Sequence, residues 1–441
     1  GPALRGDMTT HDAPLTSADE DLLRLLPEVA ATGDLAWFDY GGSRRLLVSD
    51  PEEIHRVLAR GSDEMRATPV TDAVRRVLGD GLLTASAPRW RPRRMVVQRE
   101  LSRSAVRPVA EVVEANTRAV LDGWATGRLV DLKAEMSRLA LDNLGDAVFG
   151  SDFRDYRATV GRAVDTTLEV LDAANAGRAD ESALRRLDRA VEELDAFVGV
   201  LVGGRSPGVD ARQSILDVLL RAAASGAPEF ADPWVRDEAV TLIMAGHDTV
   251  AFATTMALWL LAEDPALLAR LRAEVTAALD AGSALADVPE TAPLTRRVVE
   301  ETLRLYPPVP ILHRRAPAGF SVCGRPVPEG TILVLSPWVT QRDARWFPEP
   351  LHFDPDRFDG ARRAGLRRYT YLPFGAGPRV CAGNHFALLE AVLVVALVAV
   401  HADLGIDTSE RPAVTAPVGL RFPGPVPALV RSVRPHDGGA R

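Results

Sequence analysis

Apolar residues recur every three to four positions along much of the N-terminal half of the chain. Because this spacing places apolar side chains on one face of an α-helix, it predicts amphipathic helices separated by Gly, Pro and Asp. The predicted helices cover residues 51–61, 106–123, 129–149, 156–174 and 181–202. Short runs rich in β-branched residues predict strands at residues 45–48, 320–322, 332–335 and 428–433. Since helices and strands do not alternate regularly, we expect a mainly α fold with a minor β part, of the α+β class.

Two apolar stretches resemble membrane spans. Residues 241–262 are long enough to cross a bilayer, but His247 and Asp248 lie inside this stretch, where ionisable groups are costly. Residues 391–400 have only about half the necessary length. We therefore expect both stretches to be buried core helices, and we expect no membrane anchor.

Composition narrows the choice of protein class. The chain has 441 residues without an internal repeat, and 46% hydrophobic with 25% charged residues is globular usage. One large domain is expected over residues 35–441, after an expression remnant and N-terminal extension at residues 1–34. The 60 acidic residues outnumber the 52 basic ones, which argues against a nucleic-acid partner. No secretory signal is recognisable, so a cytoplasmic location is expected.

The two cysteines, Cys323 and Cys381, are too few for a four-cysteine zinc site or iron–sulfur cluster. Cys323 lies in a turn-rich stretch and is expected to be a structural thiol. Cys381 follows a region of dense prolines, residues 306–355, and such long irregular segments often present a functional site. Cys381 therefore holds the more informative position.

Residues 374–383 read FGAGPRVCAG and precede a long apolar helical pattern. A cysteine at the start of that helix would have its thiolate stabilised by the helix dipole and by nearby Arg379. Two plainer interpretations are a small buried hydrophobe, which most lone cysteines are, and a nucleotide-binding loop. The second lacks the third glycine of that motif and a preceding strand in an alternating unit.

The complete spacing of this loop resembles the FxxGxRxCxG signature of the cytochrome P450 haem-thiolate family. The matching residues are Phe374, Gly377, Arg379, Cys381 and Gly383. The resemblance implies a P450 fold in which a large helical part and small sheets enclose haem b, with Cys381 as the iron ligand. Phe374, Gly375, Arg379 and Gly383 would contact the haem.

Further motifs of the family occur in the expected order. Glu301 and Arg304 resemble its ExxR helix, and Arg357 in PDRF resembles the arginine that completes a buried network. Trp90 and Arg94 resemble the WxxxR pair that contacts the haem propionates. Arg314 matches a further propionate partner, and the neighbouring Arg93 and Arg315 could share these roles.

The segment AGHDT resembles the oxygen-side helix of the family. Ala245 and Gly246 lie one turn before Thr249, so that small side chains would let the haem approach this face. The resemblance implies that Thr249 is the hydrogen-bonding hydroxyl and Asp248 the acid that relays protons from solvent. His247 is expected on another side of the helix, in a structural role.

The resemblance also places five substrate-facing segments, at residues 65–84, 164–202, 243–249, 309–312 and 416–420. The expected pocket residues are aliphatic and comprise Leu82, Leu83, Met244, Ala245, Val309, Ile311 and Val418. Such a pocket suits a hydrophobic or partly oxygenated molecule, for example a terpenoid or polyketide.

Together these features indicate a bacterial monooxygenase that inserts one oxygen atom of O2 into a hydrophobic small molecule by hydroxylation or epoxidation. The resemblance implies electrons from NAD(P)H, passed by a separate ferredoxin and its reductase or by a flavodoxin, and a monomer is expected. Alternatives are a haem-thiolate peroxygenase, an oxidative coupling or cyclisation enzyme, and a non-catalytic haem-binding partner or sensor. Asp248 and Thr249 favour the monooxygenase, because a binding module needs no proton relay.

Overall fold

The computed structural model describes residues 9–10, 22–60, 69–85, 88–151, 153–175, 177–204, 214–416 and 418–434. Most of this part of the chain is helical. The α-helices are α1 (Leu22–Thr32), α2 (Pro51–Arg60), α3 (Pro69–Leu78), α4 (Trp90–Glu100), α5 (Arg103–Val106), α6 (Val109–Asp122), α7 (Leu132–Asn143), α8 (Arg157–Asn175), α9 (Glu181–Gly203), α10 (Ile215–Ala224), α11 (Trp234–Glu263), α12 (Pro265–Asp280), α13 (Val288–Thr291), α14 (Pro293–Leu305), α15 (Pro337–Thr340), α16 (Gly360–Ala364) and α17 (Asn384–His401). The expected mainly α class is confirmed.

The strands form three small sheets. They are β1 (Thr9–Thr10), β2 (Leu35–Tyr40), β3 (Ser43–Val48), β4 (Leu129–Asp131), β5 (Leu312–Arg315), β6 (Ser321–Val322), β7 (Arg325–Pro326), β8 (Ile332–Leu335), β9 (Ala402–Ile406) and β10 (Pro427–Val433). One sheet has the order β1-β2-β3-β8-β5, a second has β4-β10-β9, and β6 pairs with β7. In the first sheet β5 runs antiparallel to β8, with Arg314 opposite Leu333.

The predicted helix at residues 129–149 is wrong at its N-terminal end and changes its helical type near its C-terminal end. Its first three residues form β4, which pairs with β10 nearly 300 residues later in the chain, and Asp131 then caps α7 by accepting from the Lys133 amide at 3.1 Å. Its last six residues form a π-helical turn, Leu144–Phe149, that ends at Gly150 with φ 59°. The strand arises because a partner distant in sequence satisfies its backbone groups, which local periodicity does not reveal.

Helices α11 and α17 pack against each other in the main hydrophobic core, and α17 also packs against α6. Within the described residues α17 is the helix long and apolar enough to cross a membrane, and 67% of it is buried in the fold. Helices α11 and α12 reach that length and apolarity only as a pair bent by 115°. Both apolar stretches noted in the sequence therefore lie in buried core helices.

Helix α1 lies inside the segment interpreted as an N-terminal extension. Its buried leucines pack against the apolar face of β2 and β3, and the Trp338 indole donates to the Leu23 carbonyl at 3.0 Å. The amphipathic face of α1 thus joins it to the folded unit from Leu22 onward.

Candidate active site

The cysteine loop is held by short backbone hydrogen bonds just before α17. Gly375 donates to the Leu372 carbonyl at 3.0 Å, and Cys381 donates to the Phe374 carbonyl at 2.9 Å. The Gly383 amide donates to the Cys381 thiol. Cys381 is accessible to solvent, although many protein atoms surround its thiol. The loop therefore presents a thiol at the entrance of an apolar helix.

Gly377 is a residue of this loop at which both the backbone conformation and the lack of space exclude other amino acids. Its φ is +73°, a left-handed conformation that L-residues rarely adopt. A Cβ at this position would also lie well inside contact distance of the Leu58 carbonyl oxygen. The cysteine loop consequently packs its backbone directly against the end of α2.

Protein surroundings act on the Cys381 thiol in opposite directions. Burial raises its pKa, because a thiolate loses hydration there, whereas the Gly383 amide and the Arg94 charge lower it. The net direction is upward, so that the helix end and the arginine do not ionise the free thiol by themselves. A cation at the sulfur would replace the proton, which is the chemistry of a metal ligand.

Arg314 supplies an unsatisfied buried donor beside this loop. One terminal nitrogen donates to the His313 carbonyl at 2.8 Å, whereas Nε is buried without a hydrogen-bond partner among the described residues. Burial, together with the Arg379 charge, lowers the pKa of Arg314 to about 10. A buried cation with a free donor next to a second cation calls for an anion.

Arg94 and Arg379 extend this positive charge toward the cysteine. Arg94 is buried on α4 and donates to Gln98 at 2.9 Å, and its charge acts on Cys381. The Arg379 guanidinium lies 4.7 Å from the centroid of the Trp90 ring. Arg94, Arg314 and Arg379 thus surround the thiol with charge that fits a group carrying two carboxylates, such as haem with its propionates.

The neighbouring arginines are oriented elsewhere. Arg93 is buried, stacks over Trp234 at 5.0 Å, and donates to the carbonyls of Asp80 and Glu229. Arg315 reaches the Gly330 carbonyl at 3.5 Å. These contacts favour Arg94 and Arg314 over their neighbours as the carboxylate partners.

The middle of α11 exposes a small side chain. Ala245 is exposed while the residues around it in this helix are buried or half-buried, and Thr249 donates from its hydroxyl to the Ala245 carbonyl at 2.8 Å. Gly246 was expected on the same open face as Ala245, but it faces Leu144 instead. A Cβ on Gly246 would lie 3.0 Å from Leu144 Cδ1. Gly246 therefore permits close helix packing, and Ala245 leaves open space beside the helix.

Asp248 lines a cavity of about 640 Å³ whose wall also includes the charged residues Lys133, Asp165 and Arg421. Arg421 donates to Asp165 at 2.9 Å across this cavity. Burial raises the pKa of Asp248, while the nearby His247 and Arg421 lower it in part. A carboxyl group with a raised pKa beside a cavity that contains other charged groups can exchange protons closer to neutral pH.

His247 is buried on the α7 side of the helix. Its Nε2 lies 2.8 Å from the Ser137 hydroxyl, and its Nδ1 is buried without a hydrogen-bond partner among the described residues. Burial lowers the pKa of His247, since the imidazolium would lose hydration. These contacts agree with the structural role expected for His247.

The charged residues of the ExxR and PDRF motifs meet in the interior. Glu301 accepts two hydrogen bonds from Arg304, at 2.7 and 2.8 Å, and a further one from Arg357 at 3.2 Å. Arg304 also donates to the carbonyls of Gln341 and Pro350, each at 2.7 Å. Because every charge has several partners, the network can be buried, and it ties α14 to the segment that precedes the cysteine loop.

The predicted pocket residues fall into two groups, one accessible to solvent and one packed in the hydrophobic clusters. Leu83 and Val309 are exposed apolar side chains, at 59% and 37%. Val418 is half-buried, and the nearby Leu420 amide donates to the Pro308 carbonyl at 2.8 Å. Leu82 and Met244 pack in the main core, and Ile311 packs against the cluster of α1 and the five-stranded sheet. Residues 65–68 of the first substrate-facing segment lie outside the described residues.

Sequence reasoning missed an acidic pair at the start of α11. Asp237 accepts from the Asp80 amide at 2.7 Å, and Glu238 accepts from the Leu82 amide at 3.0 Å. Two signals were available in the sequence. Two adjacent acids occur in a helix that is otherwise largely apolar, and the segment GDGLLT contains two glycines, which permit a close approach to a helix.

The comparisons with known proteins agree on one family. The cytochrome P450 family model matches residues 22–401. Cyclooctatin synthase of Streptomyces melanosporofaciens is 31% identical over 389 residues, which cover 86% of this chain and 84% of the relative. Cyclooctat-9-en-7-ol 5-monooxygenase of the same organism is 30% identical over 387 residues, with 86% and 84% covered. Pentalenene oxygenase of Streptomyces avermitilis is 27% identical over 380 residues, with 85% of each chain covered.

The chain belongs to the cytochrome P450 family. It is accordingly a monooxygenase that uses haem b, O2 and electrons passed from NAD(P)H by separate redox proteins, and its substrate is hydrophobic. The expected family, enzyme class and cofactor are thus confirmed.

Proposed function

We propose that Cys381 is the thiolate ligand of the haem iron and that the protein hydroxylates or epoxidises a hydrophobic natural product. The observation that carries this proposal is the exposed Cys381 thiol on its constrained loop, with the buried Arg94 and the half-buried Arg314, whose Nε is buried, near it. Bound there, haem would supply the iron at which O2 is activated.

Different residues around the thiol would contact different parts of the cofactor. Arg94, Arg314 and Arg379 would bind the propionates, and Trp90 would orient Arg379 through their stacking contact. Phe374, Gly375 and Gly383 would shape the thiolate side, and Ala245 would form the opposite wall, while Gly246 would keep α11 close to Leu144 behind it. The Glu301–Arg304–Arg357 network would keep the cysteine loop in place.

Two side chains on α11 would take part in proton transfer. The Thr249 hydroxyl, which donates to Ala245 in this structure, could turn to hold a hydrogen bond near the reacting oxygen. Asp248 would receive protons from the cavity that it shares with Arg421 and Asp165. This pair favours O2-dependent oxygenation over a peroxide-only reaction or a passive haem-binding role.

The substrate class follows from the aliphatic residues and the relatives. Leu82, Leu83, Met244, Val309, Ile311 and Val418 form an apolar set without a charged recognition group. Two relatives carry cyclooctat-9-en-7-ol and pentalenene in their names. A terpenoid substrate fits both observations, with a polyketide as the second candidate. We place the enzyme in the cytoplasm as a monomer without a membrane anchor, reduced by a ferredoxin with its reductase or by a flavodoxin.

The two cysteines offer a matched experiment on the iron ligand. Cys381→Ala should lose the red-shifted absorbance of the reduced, CO-bound thiolate haem, because alanine provides no ligand. Cys323→Ser, in the partly buried turn between β6 and β7, should keep that absorbance. Persistence of the thiolate spectrum in Cys381→Ala would contradict the proposal.

A further inference from the structure

Segment 79–85 lies in the connection between α3 and α4. Charged side chains form hydrogen bonds with its backbone on two sides. On one side, the amides of Asp80 and Leu82 donate to Asp237 and Glu238, both on α11. Both carboxyl groups are buried, so that breaking these hydrogen bonds would leave polar groups unpaired away from water, at a high cost. The acidic pair therefore fixes two alternate amides of the segment to the oxygen-side helix.

On the other side, arginines bind the carbonyl groups of the same segment. Arg379 of the cysteine loop donates to the Ala85 carbonyl at 2.7 Å and to the Leu82 carbonyl at 3.4 Å. Arg75 donates to the Thr84 carbonyl at 2.6 Å. Leu82 is thus bound through its amide to α11 and through its carbonyl to the cysteine loop.

Leu83 depends on these bonds for its position. Its side chain is 59% exposed and belongs to no packed cluster of the described residues. Packing alone does not hold such a side chain, since few neighbours would resist its displacement. The backbone bonds of Leu82, one residue earlier, together with the packing of the Leu82 side chain in the main core, determine where Leu83 lies.

Close packing of segment 79–85 against α11 also holds the segment in this position. A Cβ on Gly81 would meet the Thr241 hydroxyl of α11 well inside contact distance. Glu238 is itself fully buried, and its second carboxylate oxygen has no hydrogen-bond partner among the described residues. Burial raises the pKa of Glu238 to about 8 despite the nearby Arg93 and Arg94. Placing a carboxyl group here therefore costs the fold desolvation free energy.

We propose that Glu238 is a positioning residue for substrate specificity: by binding the Leu82 amide, it holds Leu82 and Leu83 at the active site and thereby sets which apolar molecules fit. This inference rests on the proposed function for the placement of the active site. The contacts that define it, from Glu238 through Leu82 to Arg379, do not depend on the identity of the substrate.

Hydrogen–deuterium exchange of the holoenzyme at single-residue resolution tests the positioning. In the wild type, the Leu82 amide should exchange at least about tenfold more slowly than that of Leu83, which has no hydrogen bond among the described residues. Glu238→Leu should speed exchange of Leu82 about tenfold, and Glu238→Gln, which keeps an acceptor oxygen, should preserve most of the protection. Equal exchange of the two wild-type amides would overturn the proposal even if Glu238→Leu failed to fold.

Glu390 provides a matched control. It is as buried as Glu238, its pKa is also raised to about 8, and it binds Asn143 far from segment 79–85. Glu390→Leu should leave Leu82 exchange unchanged. An equal acceleration in both leucine variants would show a general loss of stability and would refute a specific role for Glu238.

Azole binding to the iron tests the effect on specificity. Imidazole is small enough to avoid Leu83, whereas 4-phenylimidazole needs apolar space beside the iron. Glu238→Leu should lower the preference for 4-phenylimidazole over imidazole about fivefold, because the apolar contact is no longer preorganised. An unchanged preference would overturn the specificity role. Absence of the thiolate–CO spectrum in the wild type would instead refute the proposed function, which the exchange data do not require.

Discussion

At the scale of single residues, the chemistry depends on how far each side chain is removed from water. Cys381 and Asp248 both have pKa values raised by burial, and both lie beside arginines that partly offset this effect. The identity of these residues is visible in the sequence. Their protonation is a property of the folded surroundings, because desolvation depends on every neighbouring atom.

Thr249 is the residue whose proposed role is easiest to isolate, since Val250 follows it and offers no second hydroxyl. Thr249→Ala should divert electrons from product to hydrogen peroxide, because the hydrogen bond that guides proton delivery is lost. Thr249→Ser should retain most of the coupling. The ratio of product formed to NAD(P)H consumed measures this effect, and unchanged coupling in Thr249→Ala would exclude the role.

Glu390 predicts a pH dependence of stability. Its pKa is about 8 in the folded protein, above the ordinary 4.5, so the folded state binds more protons than the unfolded state between these values. The free energy of unfolding should therefore fall as pH rises through this window, by up to about 1.4 kcal/mol per pH unit from this group.

Glu390→Gln removes this titration while keeping a polar side chain for Asn143. Its stability relative to the wild type should rise between pH 5 and pH 8, as measured by urea unfolding at several pH values. A difference between the two proteins that stays constant over this range would contradict the shifted pKa.

At the scale of elements, the cysteine loop shows how one backbone position controls a whole segment. Gly377 combines a positive φ with contact against Leu58, whereas Gly383 has φ −91°, and a Cβ added there would meet no atom within 4 Å among the described residues. The two glycines belong to the same motif but carry different constraints. Gly377 fixes the loop against α2, and Gly383 leads into α17.

Alanine substitutions should separate these constraints. Gly377→Ala should destabilise the protein by at least about 1–2 kcal/mol, from the left-handed conformation alone, and should reduce the haem bound per chain. Gly383→Ala should change stability by less than about 0.5 kcal/mol. Urea unfolding and haem absorbance measure both effects, and equal behaviour of the two variants would contradict this account of the loop.

At the scale of the whole molecule, the fold brings together segments that are far apart in the chain. Strand β5 carries Arg314, α4 carries Arg94, and the loop before α17 carries Cys381. The Glu301–Arg304–Arg357 network joins α14 to the segment that leads into this loop through buried charge. One compact arrangement of helices and sheets therefore assembles the site, and electrons must reach it from a separate protein.

Turnover should accordingly require a ferredoxin and its reductase, or a flavodoxin, in addition to NAD(P)H and O2. The protein with NAD(P)H alone should give no product, and oxygen from ¹⁸O2 should appear in the product of the complete system. Full turnover with peroxide alone, and none with O2 and redox partners, would establish the peroxygenase alternative instead.

Local patterns were sufficient for much of this description. The apolar periodicity located α2, α8 and α9 within a few residues, and the spacing around Cys381 identified the family. The pattern was wrong for residues 129–131, where pairing with β10 forms β4, and it gave no reason to connect Glu238 with Leu82. Both involve partners more than 100 residues apart, which local spacing does not specify.

The sequence by itself therefore determined the family, the iron ligand to be tested and the helical character, because these depend on residue types at short, fixed intervals. Only the tertiary structure decided which arginines face the cysteine, that Gly246 packs on Leu144, and that acids of α11 hold segment 79–85. The physical reason is that burial, orientation and hydrogen-bond partners arise from contacts between distant segments, formed when the chain packs its core.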